Sequence, residues 1–159
     1  MAGPPEELRE PLDSDVDLTV PAQRRELEHH HLAVLGAVAL GGAIGAAARY
    51  AAAVAWPTAD GTFPATTMVV NIAGCALIGV LMVVVTEKQV HPLTRPFLGT
   101  GVLGGFTTFS TYVLDIEVLL KAGEAATAVA YLALTLVAAL AAVWTATWAT
   151  RRLIERRRP

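Results

Sequence analysis

Four long apolar segments limit what this 159-residue chain can fold into. They are residues 32–56, 64–86, 96–119 and 125–149. A helix needs about 20 apolar residues to cross a hydrocarbon core of about 30 Å, and each segment exceeds that length. A soluble bundle would need a polar face on every helix, whereas 125–149 carries no charged residue. The pattern therefore predicts an all-α membrane protein with four transmembrane helices.

The polar residues are concentrated at the two ends of the chain. Eight of the fourteen acidic residues precede residue 29, and five of the twelve basic residues follow residue 150. A segment with few apolar side chains and much charge cannot bury enough surface to fold alone. We therefore predict a disordered acidic tail over 1–31, a four-helix transmembrane domain over 32–150 and a basic tail over 151–159.

The short connections fix the orientation of the bundle. Because the loops 57–63, 87–95 and 120–124 are short, successive helices are antiparallel neighbours and both termini lie on one side. Of the twelve Lys and Arg residues, Lys121 lies on the opposite side and Arg49 within the first span, which leaves ten on the side of the termini. The positive-inside rule then predicts a multi-pass protein of the plasma membrane with both termini in the cytoplasm.

The third segment contains a run that an ordinary membrane helix does not carry. Residues 101–112 read Gly-Val-Leu-Gly-Gly-Phe-Thr-Thr-Phe-Ser-Thr-Tyr, with three glycines and five hydroxyl groups. Irregular backbone at membrane depth survives only beside protein or a polar cavity, and a broken helix there usually marks an ion or substrate site. Freed carbonyl oxygens suit a hard cation, and the electropositive edges of Phe109 and Tyr112 suit an anion path. We predict a third helix broken at mid-membrane.

Five further polar residues lie within the spans, and their roles are open. The Asn71 amide either makes an interhelical hydrogen bond or donates to an anion. Arg49 is expected to have a structural or entrance role, and Asp115 is the candidate for a charge in a vestibule. Tyr131 and Thr135 share one face of the fourth span, where they form a polar track unless the Thr135 hydroxyl bonds to its own helix backbone.

Small residues cluster in the first two spans and allow close helix contacts, either within one chain or between two. A bundle of four spans can barely enclose a polar path, which favours an oligomer. The small residues meant are Gly41, Gly42, Gly45, Gly74 and Gly79.

The chain has a single cysteine, Cys75, which excludes an intrachain disulfide and is expected to pack as a small residue.

Three motifs lie in order on the first three spans. Residues 41–50 read Gly-Gly-Ala-Ile-Gly-Ala-Ala-Ala-Arg-Tyr, and residues 104–112 read Gly-Gly-Phe-Thr-Thr-Phe-Ser-Thr-Tyr. Between them stand Phe63, Pro64, Thr67, Asn71, Gly74 and Gly79. Over about residues 32–150 the chain closely resembles the Fluc/CrcB family of fluoride channels.

This resemblance implies passive fluoride export, which lowers fluoride toxicity in the cytoplasm, through an antiparallel dual-topology-type dimer with two pathways. It implies a structural sodium ion at the dimer centre, held by backbone carbonyls of Gly104 and Thr107 from both subunits. The expected partners are the fluoride ion, the lipid bilayer and a second subunit in antiparallel orientation, with no nucleic acid. The fluoride pathway that the resemblance implies is lined by Asn71, Thr108, Phe109, Ser110, Tyr112, Tyr131 and Thr135.

The chain departs from the family pattern at three positions. Tyr112 stands where the second phenylalanine of a pair is usual, Thr66 where glycine is frequent, and Asp115 where glutamate is frequent.

The distribution of charge is a further difference from what the resemblance implies. An antiparallel homodimer requires one chain to insert both ways, which the Lys and Arg bias opposes, so we hypothesise an oppositely oriented paralogue as the partner.

Two alternatives to a conducting channel are compatible with parts of the sequence. One is a non-conducting or partly conducting partner subunit of a heterodimeric fluoride channel. The other, less favoured, is a small four-span multidrug exporter, a class that depends on a glutamate in its first span, which 32–56 lacks. An enzyme is not expected, because the spans hold no nucleophile–base pair and no cluster of metal ligands.

Overall fold

The computed structural model describes residues 21–59, 61–88 and 90–156, and of residues 21–30 the backbone alone. These residues form helices and connecting segments, and none of them is in a strand. The chain divides into two compact units, Met1–Ala33 and Val34–Pro159, and the packing described below lies within the second. The elements are α1 (Pro21–Ala55), α2 (Ala65–Glu87), a π-helix (Arg95–Leu103) that leads into the short α3 (Gly104–Phe106), α4 (Ser110–Lys121) and α5 (Ala125–Glu155).

Four stretches of the described chain are long and apolar enough to cross a membrane, which confirms the prediction of an all-helical chain with four candidate spans. The third of them is composite, since the π-helix, α3 and α4 succeed one another within it. A π-helix is rare and is frequently found at functional sites. The four stretches are His31–Ala55, Ala65–Glu87, Arg95–Lys121 and Ala125–Glu155.

The helices differ from the predicted spans chiefly at their ends. Helix α1 begins at Pro21 rather than at residue 32, and proline suits a first helical position because the N–H it lacks has no helical acceptor there. Helix α5 continues to Glu155, past the predicted end at residue 149. The greater part of the predicted acidic tail, residues 1–20, lies outside the described residues, as do residues 157–159 of the basic tail.

Helices α4 and α5 are joined by a tight turn at Gly123. This glycine has φ +81°, a left-handed conformation that side-chain-bearing residues rarely adopt. The Glu124 N–H donates to the Leu119 carbonyl at 2.9 Å across the turn, which satisfies a carbonyl at the end of α4. The turn brings Leu119, Ala128 and Tyr131 together in the small buried cluster of the structure.

Helix α2 contacts α5 at both ends, and the two helices run in the same direction. Near the start of both, the Phe63 and Tyr131 rings meet edge to face with centroids 5.5 Å apart. Nearer the end of both, Gly79 approaches Val143 and Thr147 so closely that a Cβ at Gly79 would lie 2.7 Å from the Val143 carbonyl oxygen. The second and fourth spans are thus parallel, as successive antiparallel spans require.

Helix α1 packs against the third span through glycines. The Gly41 and Gly101 backbones approach each other so closely that a Cβ on either would overlap the other helix. A Cβ at Gly45 would likewise overlap the Val102 carbonyl. At these positions the small residues therefore serve packing within the chain, one of the two roles that the sequence left open.

Most large apolar side chains of the spans remain exposed in the single chain. They include Leu40, Val69, Leu77 and Val137, whereas Leu119 and Tyr131 are the large side chains that are fully buried within the described residues. A contiguous apolar surface of this kind needs lipid or another protein chain to cover it. The exposure is what a membrane location requires.

We predict that Gly45→Ala destabilises the protein by about 1–3 kcal/mol, because the new methyl group overlaps the Val102 carbonyl. Gly36→Ala is the matched control on the same helix, since a Cβ there meets nothing within 4 Å. The control is expected to be neutral or to stabilise by up to about 1 kcal/mol through helix propensity. Thermal unfolding of both variants in detergent provides the measurement, and equal effects would contradict the packing described.

Candidate functional site

The helix of the third span is interrupted at residues 107–109, which we call the α3–α4 junction. Helix α3 ends at Phe106, and Thr107 has extended backbone with φ −75° and ψ 158°. Helix α4 then begins at Ser110. Gly74 of α2 faces the junction, and a Cβ at this glycine would overlap the Thr107 methyl group. The absence of a side chain at Gly74 therefore allows α2 to reach the junction.

At this junction the Asn71 side chain forms hydrogen bonds with backbone groups that would bond to other backbone groups in a continuous helix. Its Oδ1 accepts a hydrogen bond from the Thr108 N–H at 2.8 Å, and its Nδ2 donates to the Thr108 carbonyl at 2.9 Å. Both polar groups of one peptide residue are thereby satisfied by one side chain from α2. Of the two roles open to Asn71, the structure displays the interhelical hydrogen bond.

The same bonding pattern releases two carbonyl oxygens. In an uninterrupted α-helix the Thr108 N–H would donate to Gly104 O, and the Thr111 N–H would donate to Thr107 O. Here the Thr108 N–H donates to Asn71, and the Thr111 N–H donates to the Thr108 hydroxyl at 3.1 Å. The Gly104 and Thr107 carbonyls are therefore without their helical donors, and they are the two positions predicted to hold a cation.

Two neighbouring carbonyls are bound by side chains instead. The Arg49 Nε donates to Gly105 O at 3.2 Å, so that the guanidinium lies at the carbonyl end of α3, where a positive charge is favourable. Thr108 O is bound by Asn71, as described above. Arg49 therefore contacts the backbone of α3 just before the junction.

The Thr108 side chain begins helix α4. Its hydroxyl accepts from the Thr111 N–H and donates to the Thr111 hydroxyl at 3.0 Å, in the manner of a threonine N-cap. The Ser110 hydroxyl lies 3.3 Å from the same oxygen. Three of the five hydroxyl groups in this run, those of Thr108, Ser110 and Thr111, are thus joined into one small network.

A groove of about 300 Å³ opens beside the junction. It brings together five of the seven predicted pathway residues, while Ser110 is linked to it through Thr108. The Phe109 ring is 77% exposed although it is large and apolar, so it projects from the chain at the edge of the groove. The lining residues are Asn71, Cys75, Thr107, Thr108, Phe109, Tyr112, Thr135, Leu136 and Ala139.

The rings of Phe109 and Tyr112 form one wall of the groove, and the Tyr131 ring packs behind Tyr112. The Phe109 and Tyr112 centroids are 6.0 Å apart, and the Tyr112 and Tyr131 centroids are 5.2 Å apart. The Tyr112 hydroxyl donates to the Leu132 carbonyl on α5 at 2.9 Å. The hydroxyl in which this residue departs from the family pattern is therefore engaged with backbone.

Tyr131 and Thr135 occupy different places although they share a helix face. Tyr131 is fully buried behind Tyr112, and its hydroxyl donates to the Asp115 carboxylate at 3.1 Å. Thr135 lines the groove, and its buried hydroxyl has no hydrogen-bond partner among the described residues. The alternative in which this hydroxyl bonds to its own helix is therefore not what the structure displays.

Several site residues were not expected from the sequence. Leu136 and Ala139 line the groove from α5, and Ala139 lies one turn beyond Thr135, so that helical spacing from Thr135 could have indicated it. Nothing in the sequence indicated that Arg49 would donate a hydrogen bond to Gly105 O. Within the described residues no three His, Cys, Asp or Glu side chains lie close enough together to hold a metal ion.

Comparison with known proteins gives one family and several relatives. A family model described as "CrcB-like protein, Camphor Resistance (CrcB)" matches residues 36–147. A protein of Streptomyces coelicolor named "Fluoride-specific ion channel FluC 1" is 60% identical over 123 residues, which are 77% of this chain and 80% of the relative.

Two relatives come from Streptomyces avermitilis. The one named "Fluoride-specific ion channel FluC 2" is 57% identical over 155 residues, 97% of this chain and 96% of the relative. The one named "Fluoride-specific ion channel FluC 3" is 50% identical over 98 residues, 60% of this chain and 47% of the relative. The matches to FluC 1 and FluC 2 each include most of the relative's length.

We predict that Asn71→Leu destabilises the protein by about 1–3 kcal/mol, because it leaves the Thr108 N–H and carbonyl without partners in a part-buried position. Cys75→Ala, one turn along the same helix face, removes a lining atom without removing a hydrogen bond and is expected to cost less. Thermal unfolding in detergent compares the two variants. A larger loss for Cys75→Ala would show that the Asn71 bonds do not hold the junction.

Proposed function

The chain belongs to the CrcB family, and we propose from this premise that it is a fluoride-specific channel through which fluoride leaves the cell passively. Its four apolar helices, and relatives that are named ion channels, make it a multi-pass membrane protein rather than an enzyme. The observation that carries the proposal is the groove at the α3–α4 junction, which is lined by Thr135 and Asn71 together with the aromatic residues Phe109 and Tyr112.

The groove offers an anion hydrogen-bond donors without a negative charge. No carboxylate lines it within the described residues. In the part of the chain that the structure describes, the Thr135 hydroxyl is buried without a hydrogen-bond partner, and the Asn71 amide has a second N–H beyond the one bound to Thr108 O. Since fluoride is a small anion with tightly held water, such donors together with the positive edges of aromatic rings can replace its hydration.

The pathway that we propose runs along the groove past Phe109, Tyr112 and Thr135, with Asn71, Thr108 and Ser110 at the junction. Tyr131 supports the wall from behind, and its bond to Asp115 fixes the ring. Because the Tyr112 hydroxyl is held by Leu132, this residue presents a ring to the groove much as a phenylalanine would. The departure at Tyr112 is therefore compatible with conduction.

The groove is open on one side in the single chain, and we propose that a second subunit in antiparallel orientation closes it. The exposed Phe109 ring and the exposed apolar faces of the spans support this arrangement. A charged ion cannot cross hydrocarbon along an open groove without contacting lipid, so a complete pathway requires another wall. The α3–α4 junction then lies at mid-membrane, as the sequence predicts.

A structural sodium ion fits the carbonyls released at the junction. Gly104 O and Thr107 O have lost their helical donors to Asn71 and Thr108, and hard cations take oxygen ligands. A neutral donor set without carboxylates suits a singly charged ion. Two carbonyls from each subunit make a set of four, so the ion would compensate carbonyl dipoles from both chains and hold the pair together.

The charge bias supports an oppositely oriented paralogue as the second subunit, in which case this chain is one partner of a heterodimer. Lys88 and Arg95 belong to the ten basic residues on the side of the termini, against Lys121 on the other. One chain with such a bias inserts in one orientation. Streptomyces avermitilis has two relatives of this chain, so one organism can hold more than one protein of this kind.

We predict that Phe109→Ile lowers fluoride efflux at least tenfold in proteoliposomes that hold this chain together with its partner subunit, because it removes the ring edge at the pathway. The ring is 77% exposed in the chain, so the substitution should leave the stability of the subunit unchanged. Leu120→Ala, an exposed residue at the far end of α4, is the control and should conduct normally. Efflux that is unchanged in Phe109→Ile would refute the proposed pathway.

Removal of sodium is expected to weaken the dimer. When Na⁺ in the buffer is replaced by a large organic cation that cannot reach the carbonyls, the dimer should dissociate at a higher protein concentration and unfold at a lower temperature. Size-exclusion chromatography with light scattering and thermal unfolding measure the two effects. Identical curves with and without Na⁺ would count against the ion site but not against the fluoride pathway.

Expression of the chain alone is expected to yield protein inserted in one orientation, with little fluoride efflux. Co-expression with a paralogue of reversed Lys and Arg bias should yield a complex of both chains with efflux restored. Accessibility of single cysteines placed in the terminal regions reports the orientation. Fluoride-conducting antiparallel homodimers recovered from the chain alone would overturn the heterodimer.

A further inference from the structure

A second concave site lies at the opposite end of α2 from the turn at Gly123, in the loop that leads to the third span. Its volume is about 510 Å³. Lys88, His91 and Arg95 supply its polar lining, and Val85, Val90 and Pro92 supply its apolar lining. No carboxylate lines this pocket within the described residues. The channel proposal makes no use of it.

The cations of this pocket are free to bind an anion. Within the described residues, neither Lys88 nor Arg95 forms an ion pair, whereas Lys121 at the other end of the bundle is paired with Glu117. The His91 Nδ1 accepts the Leu93 N–H at 3.2 Å, so a neutral imidazole carries its proton on Nε2 and can donate from there. The pocket thus combines an ammonium, a guanidinium and an imidazole donor.

The position of the pocket along the spans places it at the membrane surface. The second span ends at Glu87, and the third begins at Arg95, so the loop between them lies where lipid headgroups are. On α5, which runs parallel to α2, the exposed Trp148 lies near the same end, and tryptophan is enriched at this depth. The Arg152 guanidinium lies 5.6 Å from the centre of that ring, which adds a further positive charge.

We propose that this pocket binds the phosphate of an anionic phospholipid, with Lys88 and Arg95 contacting the phosphate oxygens. A guanidinium matches two phosphate oxygens, and an ammonium binds phosphate as a point charge. The apolar part of the lining distinguishes a lipid from a free phosphate ion, because Val90 and Pro92 can contact the glycerol and upper acyl groups that free phosphate lacks. Basic residues next to a membrane span are attracted to anionic lipids.

The test compares phosphatidylglycerol, phosphatidylcholine and inorganic phosphate as additives to the protein in neutral detergent. At ten times its dissociation constant, phosphatidylglycerol should raise the unfolding temperature by about 3–6 °C, whereas the other two should have little effect. The double variant Lys88→Gln/Arg95→Gln should lose this shift. Lys121→Gln removes one positive charge at the other end of the bundle and should retain it.

Three results would overturn the proposal. They are a full shift in the double variant, an equal shift with phosphatidylcholine, and an equal shift with inorganic phosphate, which would make the ligand a free ion. Both substituted side chains are exposed and without ion pairs among the described residues, so the variants should fold. If the double variant cannot be purified, Arg95→Gln alone should show a reduced shift. An unreduced shift in that single variant would also overturn the proposal. None of these outcomes depends on fluoride conduction.

Discussion

The side chain of Asn71 satisfies both backbone groups of Thr108, and the rest of the site depends on this pair of hydrogen bonds. An interrupted helix in a membrane leaves N–H and carbonyl groups that water cannot reach, and each unpaired group costs several kcal/mol in hydrocarbon. One amide from α2 removes two of these costs, and the Thr108 hydroxyl removes a third by accepting the Thr111 N–H. The carbonyls of Gly104 and Thr107 do not receive the N–H donors that a continuous helix would provide. The interruption is thereby stable, although these two carbonyl oxygens lack their helical donors.

Close backbone packing makes this arrangement possible. Gly74 allows α2 to reach Thr107, and Gly41 and Gly45 allow α1 to lie directly on the π-helix and α3. In a membrane the association of helices gains little from the hydrophobic effect, so dispersion contacts between closely approaching backbones are important. The same glycines bring Arg49 within 3.2 Å of the Gly105 carbonyl at the end of α3. Packing and the polar contacts of the junction therefore depend on each other.

Much of this could be read from the sequence, for physical reasons that differ between residues. Length and hydropathy predict the four helices, because the bilayer sets the length of a span. The run at 104–112 predicts an irregular third span, because glycines and hydroxyl groups are otherwise unfavourable there. Helical spacing alone could not predict that the Asn71 amide binds Thr108 or that the Tyr112 hydroxyl binds Leu132, since both depend on how two helices are rotated. Nor could it predict the start of α1 at Pro21, because a polar segment carries no apolar periodicity.

One amide side chain holds the α3–α4 junction, and amide hydrogen exchange at Thr108 measures how far the junction depends on it. In the wild-type protein the Thr108 N–H should exchange slowly, because it donates to Asn71 at 2.8 Å. In Asn71→Ala its exchange should accelerate by at least tenfold, while the Thr107 N–H, which donates to Leu103 O at 3.0 Å, should keep its protection. Unchanged protection of Thr108 in that variant would contradict the account, because another group would then be holding the junction.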